Sequence, residues 1–376
     1  MNPQMLLDRA SVGDIPAPFW FVELFKWLGF TLHAVPMNLW YAGLLVALCL
    51  HFRGSAPARR FAARLAQQMP IIVAFGINFG VVPLLFVQLA YYKAFYPATI
   101  LMAWFWLAII ALVLLAYYGV YAYAGGIRQQ PQGMARWRTA AGWCAALCFI
   151  AVGFIFANGL SLMEHVMRWP KLWEQTSTAG AAWGTALNTG DATLWPRWPL
   201  MFGLALGTTA VWALVDAFWL AYRTEDDAYR SWALGFASKL YTASLVWAAV
   251  AGTVYVFGTW SPELRAKMFD WPLLPLTVAT GMATGLPWLL MMMADRFPNK
   301  RLAVAAIALG QFGVLGINAA SRQIVQNINL KAVDFDIAAL PVDVQWGPLA
   351  MFLIVFVLGL AVVGWMIVQI RNVEPG

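Results

Sequence analysis

Apolar runs about as long as a lipid-spanning helix alternate with short polar connections along the whole chain. A helix needs about 20 apolar residues to cross the hydrocarbon layer. Read with that window, the pattern predicts membrane helices at 28–51, 70–92, 97–124, 139–162, 199–222, 234–258, 272–294, 302–318 and 348–370. The eighth is short and carries Gly310, Gly313 and Gly316 at intervals of three, a spacing that lets helices approach closely. The connections are too short to form folded domains, so residues 1–376 read as a single all-α, polytopic membrane domain with about nine transmembrane helices. Two connections are longer, roughly 163–198 and 319–347, and carry Trp169, Trp173, Asp334, Asp336 and Asp343. They are expected to form a cap or a docking surface on the outer side.

Composition agrees with this pattern. Hydrophobic residues make up 62% of the chain and charged residues 11%, with a mean hydropathy of +0.69. An ordinary soluble domain runs near a quarter charged, so this chain lacks the charge to solvate a globular surface. The net charge of +7 is a matter of topology. Arg53, Arg59, Arg60 and Arg64 follow the first span, and Arg128, Arg136 and Arg138 the third. Arg223 and Arg230 follow the fifth, Arg296, Lys300 and Arg301 the seventh, and Arg371 the ninth. Basic residues resist translocation, which puts these loops and the C-terminus in the cytoplasm and the N-terminus outside a bacterial inner membrane. No basic stripe lies on a soluble face, so the implied environment is the lipid bilayer and nucleic acid is not expected as a partner. The first 18 residues, with Asp8, Arg9 and Asp14, have no apolar core and do not read as a cleavable signal peptide.

Polar groups inside a membrane are costly, so each is a candidate site. Three histidines occur. His33 falls in the outer half of the first span, followed by Pro36, and is either a transition-metal ligand or a histidine bonded to a neighbouring helix carbonyl. His165, beside Glu164 at the outer end of the fourth span, is a second candidate ligand or a solvated loop-edge residue. His51, next to Arg53, reads as an interface residue. Asp216 in the fifth span carries protons, anchors a partner or snorkels to the cytoplasmic surface. Asn78, Gln88 and Asn158 suit interhelical hydrogen bonding. Arg322 and Gln323 are placed just outside the eighth span, where the guanidinium is free to hold a propionate, a headgroup or Asp334. Met291, Met292 and Met293 are consecutive on a helix, point in different directions and read as packing. Cys49, Cys144 and Cys148 lie in apolar stretches with no haem-attachment motif and read as core.

Three stretches resemble subunit I of the cytochrome bd quinol oxidases. Phe75-Gly76-Ile77-Asn78-Phe79-Gly80-Val81 is similar to the family's second helix. Phe156-Ala157-Asn158-Gly159 resembles its Val-Ala-Asn-Gly, and Ser321-Arg322-Gln323-Ile324 its Gly-Arg-Gln-Pro-Trp. His33 stands where the family has a haem-bearing histidine. The resemblance implies a nine-helix core with the N-terminus outside, haem cofactors, and cofactor contacts at His33, Asn158, Arg322 and Gln323.

The chain departs from that family at most of its ligands. No histidine opens the fifth helix, where Trp195-Pro196-Arg197-Trp198-Pro199-Leu200-Met201 stands. The family's methionine ligand falls within Leu276–Gly281, its glutamate ligand at about Ala319, and a carboxylate of its third segment, involved in proton and haem chemistry, at Gln88. The long quinol-binding loop shrinks to roughly 259–271, which leaves quinone binding open. The expectation is therefore a membrane subunit of a respiratory or electron-transfer complex, with at most one haem, held by His33, and no oxygen reduction on its own. A second membrane subunit and a periplasmic cytochrome are the implied partners. The alternatives are a haem-free structural or assembly subunit and, less favoured because no internal repeat is visible, a transporter.

Overall fold

A computed structural model describes residues 14–129 and 133–372. Nearly everything it describes is helix, because lipid offers backbone N–H and C=O groups no partner and a helix satisfies them within one segment. In chain order, the long helices are α1 (Phe19–Arg53), α2 (Ala56–Ala90), α4 (Ala103–Gln129), α5 (Arg136–Glu164), α7 (Leu194–Leu220), α8 (Asp227–Thr259) and α12 (Lys300–Lys331). The short helices are α3 (Tyr92–Leu101), α6 (Trp169–Thr176), α9 (Pro262–Met268), α10 (Leu274–Met282) and α11 (Gly285–Met292), and α13 (Trp346–Asn372) closes the chain. With α10 and α11 counted as one interrupted span, eight helices among the described residues are long and apolar enough to cross a membrane. In α13 the described apolar stretch is Trp346–Val362.

Several expected boundaries shift. The third apolar stretch breaks at Met102, so α3 is a separate helix at one end of the bundle rather than the start of a span. The seventh breaks between Met282 and Gly285. The eighth is not short: α12 runs for 32 residues, and Arg322 and Gln323 lie inside it. The stretch expected as a loop from 319 begins only after Lys331. Hydropathy ended this span too early because its last turns carry polar side chains that face other helices instead of lipid. Met291 is buried while Met292 and Met293 are exposed, as consecutive helical positions require. Asp8 and Arg9 lie outside the described residues, as does the side chain of Arg371.

The bundle has two unlike ends. At the capped end, residues 165–193 fold back as a turn, α6 and the two-stranded hairpin Ser177–Thr178 with Ala181–Ala182. Trp169 and Leu172 are buried beneath this cap. Ile15 pairs with the segment before α13, its N–H donating to Pro341 O at 2.9 Å. The basic end holds the short turns around Gly54, 133–135, 221–226 and 293–299.

Helix α7 forms the axis, with 67% of its most apolar window buried, against 11% for α4. It packs mainly on α8 and also meets α1, α5 and α12. Without water between helices, close fit replaces hydrophobic burial as the associating force, and missing side chains permit that fit. A Cβ at Gly119 of α4 would stand 2.6 Å from Ala141 O of α5, and one at Gly203 of α7 would stand 2.7 Å from Trp247 of α8. Of the three spaced glycines in α12, Gly310 faces Pro287, Gly316 faces Trp27, and Gly313 faces open space. The lipid-facing rows, such as Leu107, Ile110 and Leu114 on α4, are exposed apolar side chains.

Candidate functional site

The polar groups gather in layers along the bundle. The layer nearest the basic end is built on Asp216, which is 1% exposed, so of the readings left open by the sequence it does not follow the one in which it snorkels to the surface. It lies where α7 widens into a π-helical turn at Asp216–Leu220. Arg64 of α2 donates to it through Nε at 2.8 Å and Nη2 at 3.1 Å, Gln68 Nε2 at 3.1 Å and Tyr229 OH at 2.7 Å. A carboxylate offers about four acceptor positions, and all are filled. This arrangement locks α2, α7 and α8 together.

A neutral layer lies in the middle. Asn38 Nδ2 and Gln311 Nε2 donate to Thr208 Oγ1 at 2.9 and 3.1 Å, and Tyr241 OH donates to Gln311 Oε1 at 2.6 Å. These bonds join α1, α7, α8 and α12.

The half toward the capped end is the richest. On α1, Glu23 and Lys26 are 8% and 6% exposed. Lys26 Nζ donates to Glu23 Oε1 at 3.1 Å and to Tyr91 OH, while Gln323 and Asn327 of α12 donate to Glu23 Oε2. Gln323 is therefore a structural clamp between α1 and α12. Arg322, one residue away, lies with Cζ 3.8 Å from the centre of the Phe30 ring. It forms no hydrogen bond or ion pair with any described residue, Asp334 included.

His33 occupies the next turn of α1. Its Nδ1 is 2.7 Å from Gly76 O on α2. A carbonyl only accepts, so Nδ1 carries a proton, and Nε2 holds the lone pair when the ring is neutral. Bare backbone on α2 makes room for this ring: a Cβ at Gly80 would stand 2.8 Å from His33 Cε1, and one at Gly76 would stand 2.5 Å from Trp40. Arg322 is near enough for its charge to act on His33.

A third group joins α5, α7 and the cap. Arg197 Nη2 donates to Glu164 Oε2 at 2.6 Å and to Tyr255 OH at 3.2 Å. His165 Nδ1 is 3.1 Å from both Ser161 O and Asp191 Oδ2. Burial pulls the His165 imidazole down, but the Asp191 carboxylate more than offsets this and leaves it above its ordinary value. Asp191 is held well below the usual carboxylate range, because His165, Ser161 and Thr193 outweigh its burial. Asn158, fully buried, accepts from Asn188 N at 2.7 Å and so fastens the cap to α5. Beside this group a cavity of about 350 Å³ is lined by His165, Arg168, Arg197, Tyr255, Trp260 and Asn329, among others.

The structure thus joins Gln323 to Glu23, brings Arg322 into electrostatic range of His33, and places His165 and Asn158 in a separate cap network. His33 and His165 share no partner. Gln88 makes no side-chain hydrogen bond among the described residues, Asn78 bonds back to Ala74 O of its own helix, and His51 packs edge-on against Tyr123. Among the described residues no group of three His, Cys, Asp or Glu could hold a metal ion. Sequence reasoning missed Glu23, Lys26 and Arg197, which fell just before or at the edge of expected spans, and Arg64, read as a topology signal. The available clue was charge within a turn or two of an apolar run, which a window average removes. No known protein family and no curated protein matches the sequence.

Proposed function

We propose that the chain is a membrane subunit of an electron-transfer complex, spanning the bacterial inner membrane nine times with its basic end in the cytoplasm, and that it holds a single haem through His33. The observation that supports this reading is the His33–Gly76 hydrogen bond, which is the carbonyl bond expected of the alternative reading of His33 and would also stand behind the ligand in a bound haem. A metal-bound imidazole commonly donates its other N–H to a carbonyl, which fixes the tautomer and aims the free nitrogen. Arg322 supports it, as a cation without a carboxylate among the described residues, suited to a propionate through paired hydrogen bonds.

The donor set fits one haem and not three. The position resembling the family's second histidine holds Arg197, flanked by Trp195, Pro196, Trp198 and Pro199, and the other ligand positions hold Leu276–Gly281 and Ala319, none of which offers iron a ligand. When bound, the haem would supply one-electron exchange. The chain's own part is to present Nε2 of His33, to neutralise a propionate with Arg322, and to offer the capped end to a second membrane subunit or a periplasmic cytochrome. Oxygen reduction by this chain alone is not part of the proposal.

A pyridine-haemochrome spectrum of the purified protein tests the reading. The expected result is one haem per chain, with a Soret band lost in His33→Ala while membrane insertion persists. A band that survives His33→Ala overturns the ligand assignment. A wild-type protein without haem leaves the haem-free structural subunit, a role that the self-satisfied Asp216 layer would also serve.

A further inference from the structure

We propose that the cavity between α7, α8, α12 and the cap is a binding site for a phosphate group, a site that goes beyond the haem reading and is independent of it. The walls carry more hydrogen-bond donors than the protein satisfies. Arg197, 4% exposed, spends only Nη2 on Glu164, Thr193 and Tyr255, and its Nε and Nη1 are buried without a partner. The indole Nε1 of Trp260 is likewise buried and unpartnered. The Arg168 guanidinium forms no hydrogen bond or ion pair with any described residue. It lies against Gly190, where an added Cβ would strike its Nη2. All three residues line the same cavity of about 350 Å³.

Charge points the same way. The carboxylates here are already matched, Glu164 by Arg197 and Asp191 by His165. Arg168 is the surplus cation. A buried donor left without an acceptor is costly, so an occupant that accepts from several of them is favoured. Arg168 offers five N–H groups, Arg197 three spare ones and Trp260 one. A carboxylate has two oxygens in one plane, whereas a phosphate presents four around a tetrahedron (two of them esterified in a lipid headgroup) and can meet two guanidiniums from different directions. The phosphate could come from a lipid headgroup, since the cavity lies where helices meet the cap, or from a free anion.

The test uses the full chain in detergent, stripped of lipid. Inorganic phosphate is titrated by calorimetry, and phosphatidylglycerol is offered in nanodiscs and read by native mass spectrometry. Phosphate binding that weakens at least tenfold in Arg168→Ala supports a free-anion site. Retention of phosphatidylglycerol, lost in Arg168→Ala but kept in Lys171→Ala, supports a headgroup site. Arg168→Ala breaks no side-chain hydrogen bond or ion pair among the described residues, and Gly190→Ala, which displaces the same guanidinium, gives a second variant should the first fail to fold. No binding of either probe, or binding that both variants leave unchanged, overturns the proposal.

Discussion

A methyl group at Gly80 would stand 2.8 Å from Cε1 and 2.9 Å from Nδ1 of His33, so the imidazole occupies the space that a larger residue on α2 would fill. Gly80→Ala is expected to push the ring off the Gly76 carbonyl and to lower stability by about 1–3 kcal/mol, the usual cost of overpacking a close contact. Thermal unfolding in detergent reads the loss, and any Soret band should weaken with it. Gly235→Ala is the control, because nothing lies within 4 Å of that position. Equal stability for both variants would show that His33 is not packed as described.

The Arg64–Asp216 pair predicts an asymmetry. Arg64→Ala leaves a carboxylate 1% exposed with only Gln68 and Tyr229 as donors, and should cost about 3 kcal/mol or more. Asp216→Ala strands a guanidinium whose side chain is 27% exposed and can turn toward water, so its cost should be smaller. Unfolding midpoints of the two variants decide the order. The reverse order would mean that Asp216 is not held mainly by Arg64.

Stability should depend on pH through the cap. His165 is raised above 6.5, so its contribution is complete below pH 6.5 and fades as pH rises through the folded-state value. Asp191 is depressed below 3.8, so its contribution is complete above pH 3.8 and fades as pH falls through its folded-state value. The advantage of the native chain over His165→Gln should therefore be greatest between pH 3.8 and 6.5 and shrink on the alkaline side. Melting profiles of both proteins across pH 4 to 9 measure it (the range brackets both ordinary values). A pH-independent difference would count against the ion pair.

The two ends should face opposite compartments. In a background with Cys49, Cys144 and Cys148 replaced, single cysteines at Ser55 and Thr178 should react from the cytoplasm and the periplasm respectively. Thr178 is preferable to the adjacent Gly180, whose φ of +77° strains any side chain placed there. Labelling of both from one side would overturn the topology.

The helices themselves were legible in the chain. Runs such as Ala103–Gln129 and Arg136–Glu164 had to be helical, since no other backbone form satisfies its own polar groups in a lipid-like medium. The arginines after the odd-numbered runs marked which turns share an end. The limits of this reading appeared at the ends of helices, where Arg197, Glu23 and Gln323 look like solvated positions although they are held inside the bundle.

Tertiary structure alone decided what those polar groups do. Asp216 meets Arg64 across 152 positions of sequence, Gln323 meets Glu23 across 300, and His33 meets Gly76 across 43. A one-dimensional pattern records that a residue is polar and at what depth, because depth follows from distance along a helix. It does not record which neighbour stands opposite. That depends on how two helices rotate and approach, which is set by where glycines such as Gly76, Gly80 and Gly203 leave room for a ring from another chain segment.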